Sequence, residues 1–223
     1  VFTVEKEMRI AQLVFTKVEI PTFVLVENLP PTRRDTGGFG STGLGVLAGI
    51  GDADYQQAQH TLDRYYLEVA IKCAALSNCL RGVKCVEGVC EKDARGLYVG
   101  ATRRFGCIIV QRGNIVAQGT NFRTDECSEK KGCVREREEI PTGTRLERGC
   151  VHAEAAAIQN CLRSGGVSLE GATVYINGEP CEICAKLLMR SGIGAVVVPQ
   201  DVYPQNGLLL LQSAGVEVRH VEI

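Results

Sequence analysis

The chain has no Trp, only 5% aromatic residues and two Met among its 223 residues. Few aromatics means few flat faces on which successive bases could stack, the device that binders of single strands use. Nor is there an excess of basic charge: 25 Lys and Arg stand against 26 Asp and Glu, a formal charge of −1. A general nucleic-acid binder would carry a basic surplus, so that class is disfavoured. No uninterrupted apolar run reaches the roughly 20 residues that a membrane-spanning helix needs. Hydrophobic residues make up 45% and charged residues 23%, which excludes a disordered tail. The chain opens V-F-T-V-E-K with neither a secretory leader nor an initiator Met, so Val1 is expected not to be the natural start. A processed product or a fragment is the expectation. At about 100–200 residues per domain, the length fits one full domain and part of another.

Cysteine is abundant instead: 11 residues, an odd number that cannot all pair. A chain this long can bury a core without disulfide staples. The usage therefore reads as a reducing, intracellular, cytoplasmic compartment with thiolates held by metal.

Three regions separate along the chain. Residues 1–30 read as strands, rich in β-branched residues and without a helical period. Residues 31–59 form a glycine-rich connector and a weakly patterned stretch. From Thr61 a helical stripe begins, with Tyr65, Val69, Cys73 and Leu76 at its spacing. Residues 81–103 look like a cysteine-bearing insertion. A hairpin follows, Gly106–Gln111 and Ile115–Gln118 about a turn at Arg112-Gly113-Asn114. Residues 123–149 hold seven basic and seven acidic side chains, the balance of a solvated, salt-bridged excursion and not of a binding patch. Then helices at 151–163, 181–191 and 208–214 alternate with strands at 173–177, 195–199 and 216–221. Alternation of this kind predicts an α/β layered fold with helices packed on a mixed sheet.

The chemistry concentrates in His152-Ala153-Glu154 and Pro180-Cys181-Glu182-Ile183-Cys184. Two cysteines separated by two residues at a helix start can aim both sulfurs at one metal, and His152 supplies a third donor. Three protein ligands leave one tetrahedral position for water, the arrangement of a catalytic zinc. Zinc brings the pKa of such a water towards neutrality. Glu154, just outside the ligand set, can carry the proton to a ring nitrogen and then to a leaving amine. A closed structural zinc knuckle is the bland alternative, but the combination of His-x-Glu with Pro-Cys-x-x-Cys is the signature of zinc nucleobase deaminases.

Over residues 61–223 the chain resembles the deoxycytidylate (dCMP) deaminase family. The resemblance rests on S-N-C-L-R, R-R-F-G-C-I-I-V, G-T-N, G-C-V-R-E with I-P-T-G-T-R, C-V-H-A-E-A-A-A-I and P-C-E-I-C-A-K-L-L, in that order. It implies a cytidine-deaminase-like fold, a mixed β-sheet flanked by helices, and a hydrolase that converts dCMP to dUMP and ammonia. It implies Glu154 as catalytic residue, His152, Cys181 and Cys184 as zinc ligands, and Asn121, Ala153 and Tyr203 as substrate contacts. It also implies a homo-oligomer, with a nucleotide substrate and neither membrane nor nucleic acid as partner. Two departures bear on the substrate. Ala156 stands where the family has Asn, and Thr120 and Phe122 flank Asn121 where it has Tyr and Gly. Another cytosine nucleotide, a base in nucleic acid, or a non-catalytic regulatory or assembly subunit are the alternatives.

Some members of that family carry a second, structural zinc. The resemblance implies Cys79, at the end of the first helix, with Cys127, Cys133 and Cys150 as its ligands. For Cys85 and Cys90 a further metal, a disulfide, or replacement of one of those four ligands are all open. Cys107 and Cys161 lie in apolar patterns and read as small core residues.

Residues 1–45 resemble something else. Arg34-Asp35-Thr36-Gly37-Gly38-Phe39-Gly40-Ser41-Thr42-Gly43 is similar to the carboxyl-terminal motif of trimeric dUTP pyrophosphatases (dUTPases), and Arg9-Ile10-Ala11-Gln12-Leu13 to the motif before it. Glycine backbone N–H groups can close round a triphosphate. The resemblance implies nucleotide contacts from Arg34, Gly38, Phe39, Gly40 and Ser41, with Arg34 on phosphate and Phe39 on the uracil ring. It implies a short all-β remnant of a dUTPase barrel over 1–45, a linker over 46–60 and the deaminase-like domain over 61–223. The upstream dUTPase motifs are missing, so dUTP hydrolysis, with its Mg2+, requires residues beyond these. Both activities yield dUMP, the precursor of thymidylate.

Overall fold

The computed structural model describes residues 52–223 except 142, 143, 145 and 147. The strands expected over 1–30, the glycine-rich motif and the nucleotide contacts expected from Arg34, Gly38, Phe39, Gly40 and Ser41 lie outside these residues.

Helix α1 spans Asp52–Ala74. It starts well before Thr61, so part of the stretch expected as linker is helical. Its end at Ala74 also leaves Cys79 in the loop that follows, not at the helix end. A two-stranded hairpin comes next, β1 Cys85–Val86 and β2 Val89–Cys90. The main sheet is built from β3 Gly106–Gln111, β4 Asn114–Thr120, β5 Thr173–Ile176, β6 Ala195–Pro199 and β7 Glu217–Val221. Its order is β4-β3-β5-β6-β7. The β3 strand is antiparallel to β4 and β5, while β5, β6 and β7 run parallel. The remaining helices are a single turn α2 Val134–Arg137, then α3 Ala153–Arg163, α4 Glu182–Arg190 and α5 Gly207–Ser213.

Side chains alternate across a strand, and the sheet uses both faces. Cys107, Ile109, Val174, Ile176, Val196 and Val198 face one way and pack with Ala157, Leu188 and Leu211 of α3, α4 and α5. Ile108, Val110, Tyr175, Val197 and Val221 face the other way, against Leu67 and Ala70 of α1. The sheet is thus buried between layers, which accounts for the unbroken apolar run of β6. Cys107 and Cys161 are buried in the first layer, as expected of core residues.

The first layer closes tightly at one point. A Cβ on Gly119 of β4 would lie 2.3 Å from the backbone N of Ala157 and 2.5 Å from the carbonyl of Ala153. The first turns of α3 rest directly on the β4 backbone, and only glycine leaves room for them.

The cysteine-bearing insertion folds round a disulfide, Cys85–Cys90, across the β1–β2 hairpin. Of the alternatives open for that pair, the structure takes the disulfide.

Candidate zinc site at the starts of two helices

The site lies where α3 and α4 begin. His152 is the residue before α3, with φ −78° and ψ 155°; Cys181 holds the same place before α4, with φ −72° and ψ 163°. Both are extended residues from which the helix starts, so each side chain stands free of the helical ladder. Cys184 lies one turn further along α4, on the same side as Cys181. Positive helix ends favour thiolate at such positions.

A pairing at the end of β4 brings His152 to the site. Phe122 and Val151 exchange backbone hydrogen bonds at 3.1 and 2.9 Å. The next residue, His152, then points its Nδ1 to 3.4 Å from Cys181 Sγ and 3.5 Å from Cys184 Sγ. These are the described residues in which three donor atoms lie within 4.8 Å of one another. Tetrahedral zinc, with bonds of about 2.3 Å to sulfur and about 2.0 Å to nitrogen, would set N···S separations of about 3.5 Å. The donor set therefore fits the ion in both chemistry and spacing.

Electrostatics in the site follow from this crowding. A hydrogen bond from the Cys184 thiol and another from His152 hold Cys181 as thiolate, down at about 3, against the effect of burial. The same contact with Cys181, together with burial, pushes the Cys184 thiol up. The Cys181 sulfur raises the His152 imidazolium. Glu154, in the first turn of α3, is buried and its carboxyl meets the Cys184 thiol. Burial pushes that carboxyl above the usual carboxylate range, with its own backbone N–H and His152 pulling the other way. A buried proton acceptor thus lies beside the three donors and outside their set.

Ala153 is fully buried at the first position of α3. Tyr203 is exposed, on the irregular segment between β6 and α5. Asn121 is buried, and its amide is engaged within the chain. Its Oδ1 accepts from Phe105 N–H at 2.8 Å and from the Ser77 hydroxyl at 2.7 Å. Its Nδ2 donates to the Arg103 carbonyl at 3.0 Å and to Cys79. A bond from this amide to a nucleotide would have to displace one of these.

Sequence reasoning missed the partners of Asn121. Asn177, just after β5, accepts from Gly106 N–H at 2.8 Å and donates to the Arg104 carbonyl at 3.0 Å. The two asparagines hold the segment 103–106 from either side. The S-N-C run closes the same knot, since Asn78 Oδ1 accepts from Arg123 N–H at 2.8 Å. Its occurrence in the family pattern was the only available signal.

Four of the other cysteines, Cys79, Cys127, Cys133 and Cys150, come together around Cys150. Cys79, Cys127 and Cys133 are buried and Cys150 is partly so. Cys150 donates to Cys79, which is held down at about 6 by that bond against burial. Burial pushes Cys133 up. Cys127 accepts from Val134 N–H at 3.3 Å. Cys79 and Cys150 are in direct contact, but the four do not make a second group of three donors within 4.8 Å.

The family model described as the cytidine and deoxycytidylate deaminase zinc-binding region matches residues 83–200, and the dUTPase model matches residues 1–43. A probable deoxycytidylate deaminase of Drosophila melanogaster is 34% identical over 129 residues, covering 52% of this chain and 60% of that protein. The deoxycytidylate deaminase of Mycobacterium phage D29 is 32% identical over 141 residues, covering 62% of this chain and 94% of the phage protein. The riboflavin biosynthesis protein RibD of Escherichia coli is 33% identical over 145 residues, and the match spans only 32% of its length. Among solved structures, the dCMP deaminase of cyanophage S-TIM5 in complex with dCMP and dUMP is 24% identical, with a TM-score of 0.47 over 71% of this chain and 96% of that one.

Proposed function

The chain belongs to the family that shares the cytidine and deoxycytidylate deaminase zinc-binding region, and from that premise we propose that it deaminates dCMP to dUMP and ammonia. The observation that carries this reading is the convergence of His152 Nδ1 with the two sulfurs of α4, at 3.4 and 3.5 Å, beside a buried carboxylate. His152, Cys181 and Cys184 are the zinc ligands. When bound, the ion supplies a Lewis-acidic position that brings the pKa of water towards neutrality.

Glu154 does the proton work. Its carboxylate takes a proton from the water that attacks C4 of the cytosine ring. It passes that proton to the ring nitrogen, and then carries the second one to the departing amine. Burial suits Glu154 to both duties, because a carboxylate held above its usual range gives up and takes protons nearer neutrality. Ala153, buried at the start of α3, backs the pocket from behind, Asn121 shapes its wall through the segments 77–79 and 103–105, and Tyr203 covers the nucleotide from the β6–α5 segment.

Two further assignments belong to this reading. Cys79, Cys127, Cys133 and Cys150 hold a structural zinc; the Cys79–Cys150 contact and the burial of three of the four support it. The match over residues 1–43 supports a dUTPase-like end over 1–45 ahead of a deaminase domain.

Ammonia release from a panel of cytosine, deoxycytidine, CMP, dCMP, dCTP and a cytosine-bearing oligonucleotide tests the proposal. Turnover is expected to be fastest with dCMP. Preference for the oligonucleotide, or no turnover of any of them by zinc-loaded protein, would overturn it.

A further inference from the structure

We infer that Glu179 and Gly207 are positioning residues that fasten the Cys181 segment to the segment bearing Tyr203, so that metal ligand and pocket rim keep one geometry. The inference rests on the reading of Cys181 and Tyr203 given above. Four contacts join residues 179–181, which enter α4, to residues 205–208, which enter α5.

Glu179 is buried, and its Oε1 accepts the backbone N–H of Leu208 at 3.2 Å. Its carbonyl accepts from the Gln205 side-chain amide at 2.9 Å. Cys181 itself pairs with Asn206 in an isolated antiparallel bridge. Between them the chains nearly touch: a Cβ on Gly207 would lie 1.9 Å from the carbonyl oxygen of Pro180 and 3.2 Å from the carbonyl carbon of Cys181. Asn206 adopts the left-handed conformation, φ +66°, that turns the chain into α5 at this close approach.

These contacts fall on the metal ligand and on the two residues before it. Cys181 stands at the start of α4 without a side-chain cap, so its backbone direction is set by what holds the neighbouring chain. Partners that orient a ligand without touching the ion typically affect metal affinity by about 10–100-fold. On the other side, residues 205–208 close the short segment that presents Tyr203. Loosening one side of the clamp therefore disturbs both ends, zinc affinity and nucleotide affinity.

The test compares Glu179→Ala, Glu179→Gln and Gly207→Ala by zinc competition against a colorimetric chelator, by KM and kcat for dCMP, and by thermal midpoint of the metal-free protein. Glu179→Ala should weaken zinc about tenfold. It should also raise KM proportionally more than it lowers kcat. Glu179→Gln keeps an acceptor oxygen at the same reach and should stay within about twofold of the parent in zinc affinity and KM. Gly207→Ala should weaken both, since backbone must move to admit the methyl. If Glu179→Ala fails to fold, Gln205→Ala removes one contact from the exposed end and should still raise KM. A Glu179→Ala protein with a lower midpoint but unchanged zinc affinity and KM would make the clamp merely structural and overturn the inference. Glu179→Gln behaving like Glu179→Ala, or unchanged KM in Gln205→Ala, would overturn it too. Zinc competition reads the clamp even if dCMP is not the substrate, so the two readings fail separately.

Discussion

Removing the carboxylate of Asp63 should cost the deaminase domain stability without touching its chemistry. Asp63 lies on α1 and is 2% exposed. Its oxygens accept from Tyr175 OH of β5 at 2.8 Å, from Arg219 Nε and Nη2 of β7 at 2.6 and 3.1 Å, and from Gln59 at 3.0 Å. One side chain thus ties the helix to two strands of the sheet. Burial works against the charge of Arg219, but Asp63 and then Glu217 hold it firmly protonated. Breaking a buried ion pair by removing one partner costs about 3–5 kcal/mol. Arg219 keeps its bond to Glu217 and its side chain is 22% exposed, which favours the lower end of that range. The Tyr175 hydroxyl, left without its acceptor, adds about 1 kcal/mol or more. Asp63→Ala should therefore lose about 4 kcal/mol, which for a domain of this size lowers the thermal midpoint by about 8–16 °C. Urea unfolding followed by circular dichroism measures it. Asp63→Leu combined with Arg219→Met should lose less than Asp63→Leu alone, since a buried pair replaced by apolar groups leaves no orphaned charge. Asp63 lies on the α1 face of the sheet, away from His152, so turnover per folded, zinc-loaded molecule should stay at the parent value. A loss below about 1 kcal/mol for Asp63→Ala, or no recovery in the double variant, would refute the reasoning.

Four shorter predictions accompany it. Glu154→Gln should keep zinc and lose about 10²–10⁴-fold in turnover, since an amide cannot carry the proton; metal analysis beside ammonia release checks both halves. Gly119→Ala forces a methyl into the backbone of α3, and the resulting shift of His152 and Glu154 should lower kcat by about 100-fold. The Tyr175 hydroxyl is held above its usual pKa, chiefly by burial and then by Asp63. A raised folded value means its stabilisation is complete below about pH 10 and is lost as pH climbs above that. Urea midpoints should therefore fall from pH 9 to 11 more steeply in the parent than in Tyr175→Phe. Fully loaded, reduced protein should hold two zincs per chain, and Cys133→Ser should lose one of them with little effect on turnover; a single zinc in the parent rejects the cysteine site.

Local spacing made the candidate metal donors legible in the amino-acid order. A residue at a helix start projects away from the ladder, so His152 and Cys181 could be placed as donors from the pattern around them, with Glu154 two residues on and Cys184 one turn on. Short continuous apolar runs likewise marked β3, β5 and β6, because a strand buried on both faces has to be apolar at successive positions. Contacts between distant segments left no such trace. Asn121 reads as a substrate contact in its motif, yet its amide is taken up by Ser77, Cys79, Arg103 and Phe105, which only the folded loops bring together. The early start of α1 was hidden because residues 52–60 carry few apolar side chains, and the Asp63–Arg219 bond that ties the helix to the sheet spans 156 residues. Gly119 and Gly207 look like any other glycines until a helix or a carbonyl comes to rest against them. Sequence alone marked the donors of the candidate site, His152, Cys181 and Cys184, since their spacing is set by where two helices begin. Their distances, and what holds them there, were decided by the sheet order and by two close backbone approaches, which exist only once the layers have packed.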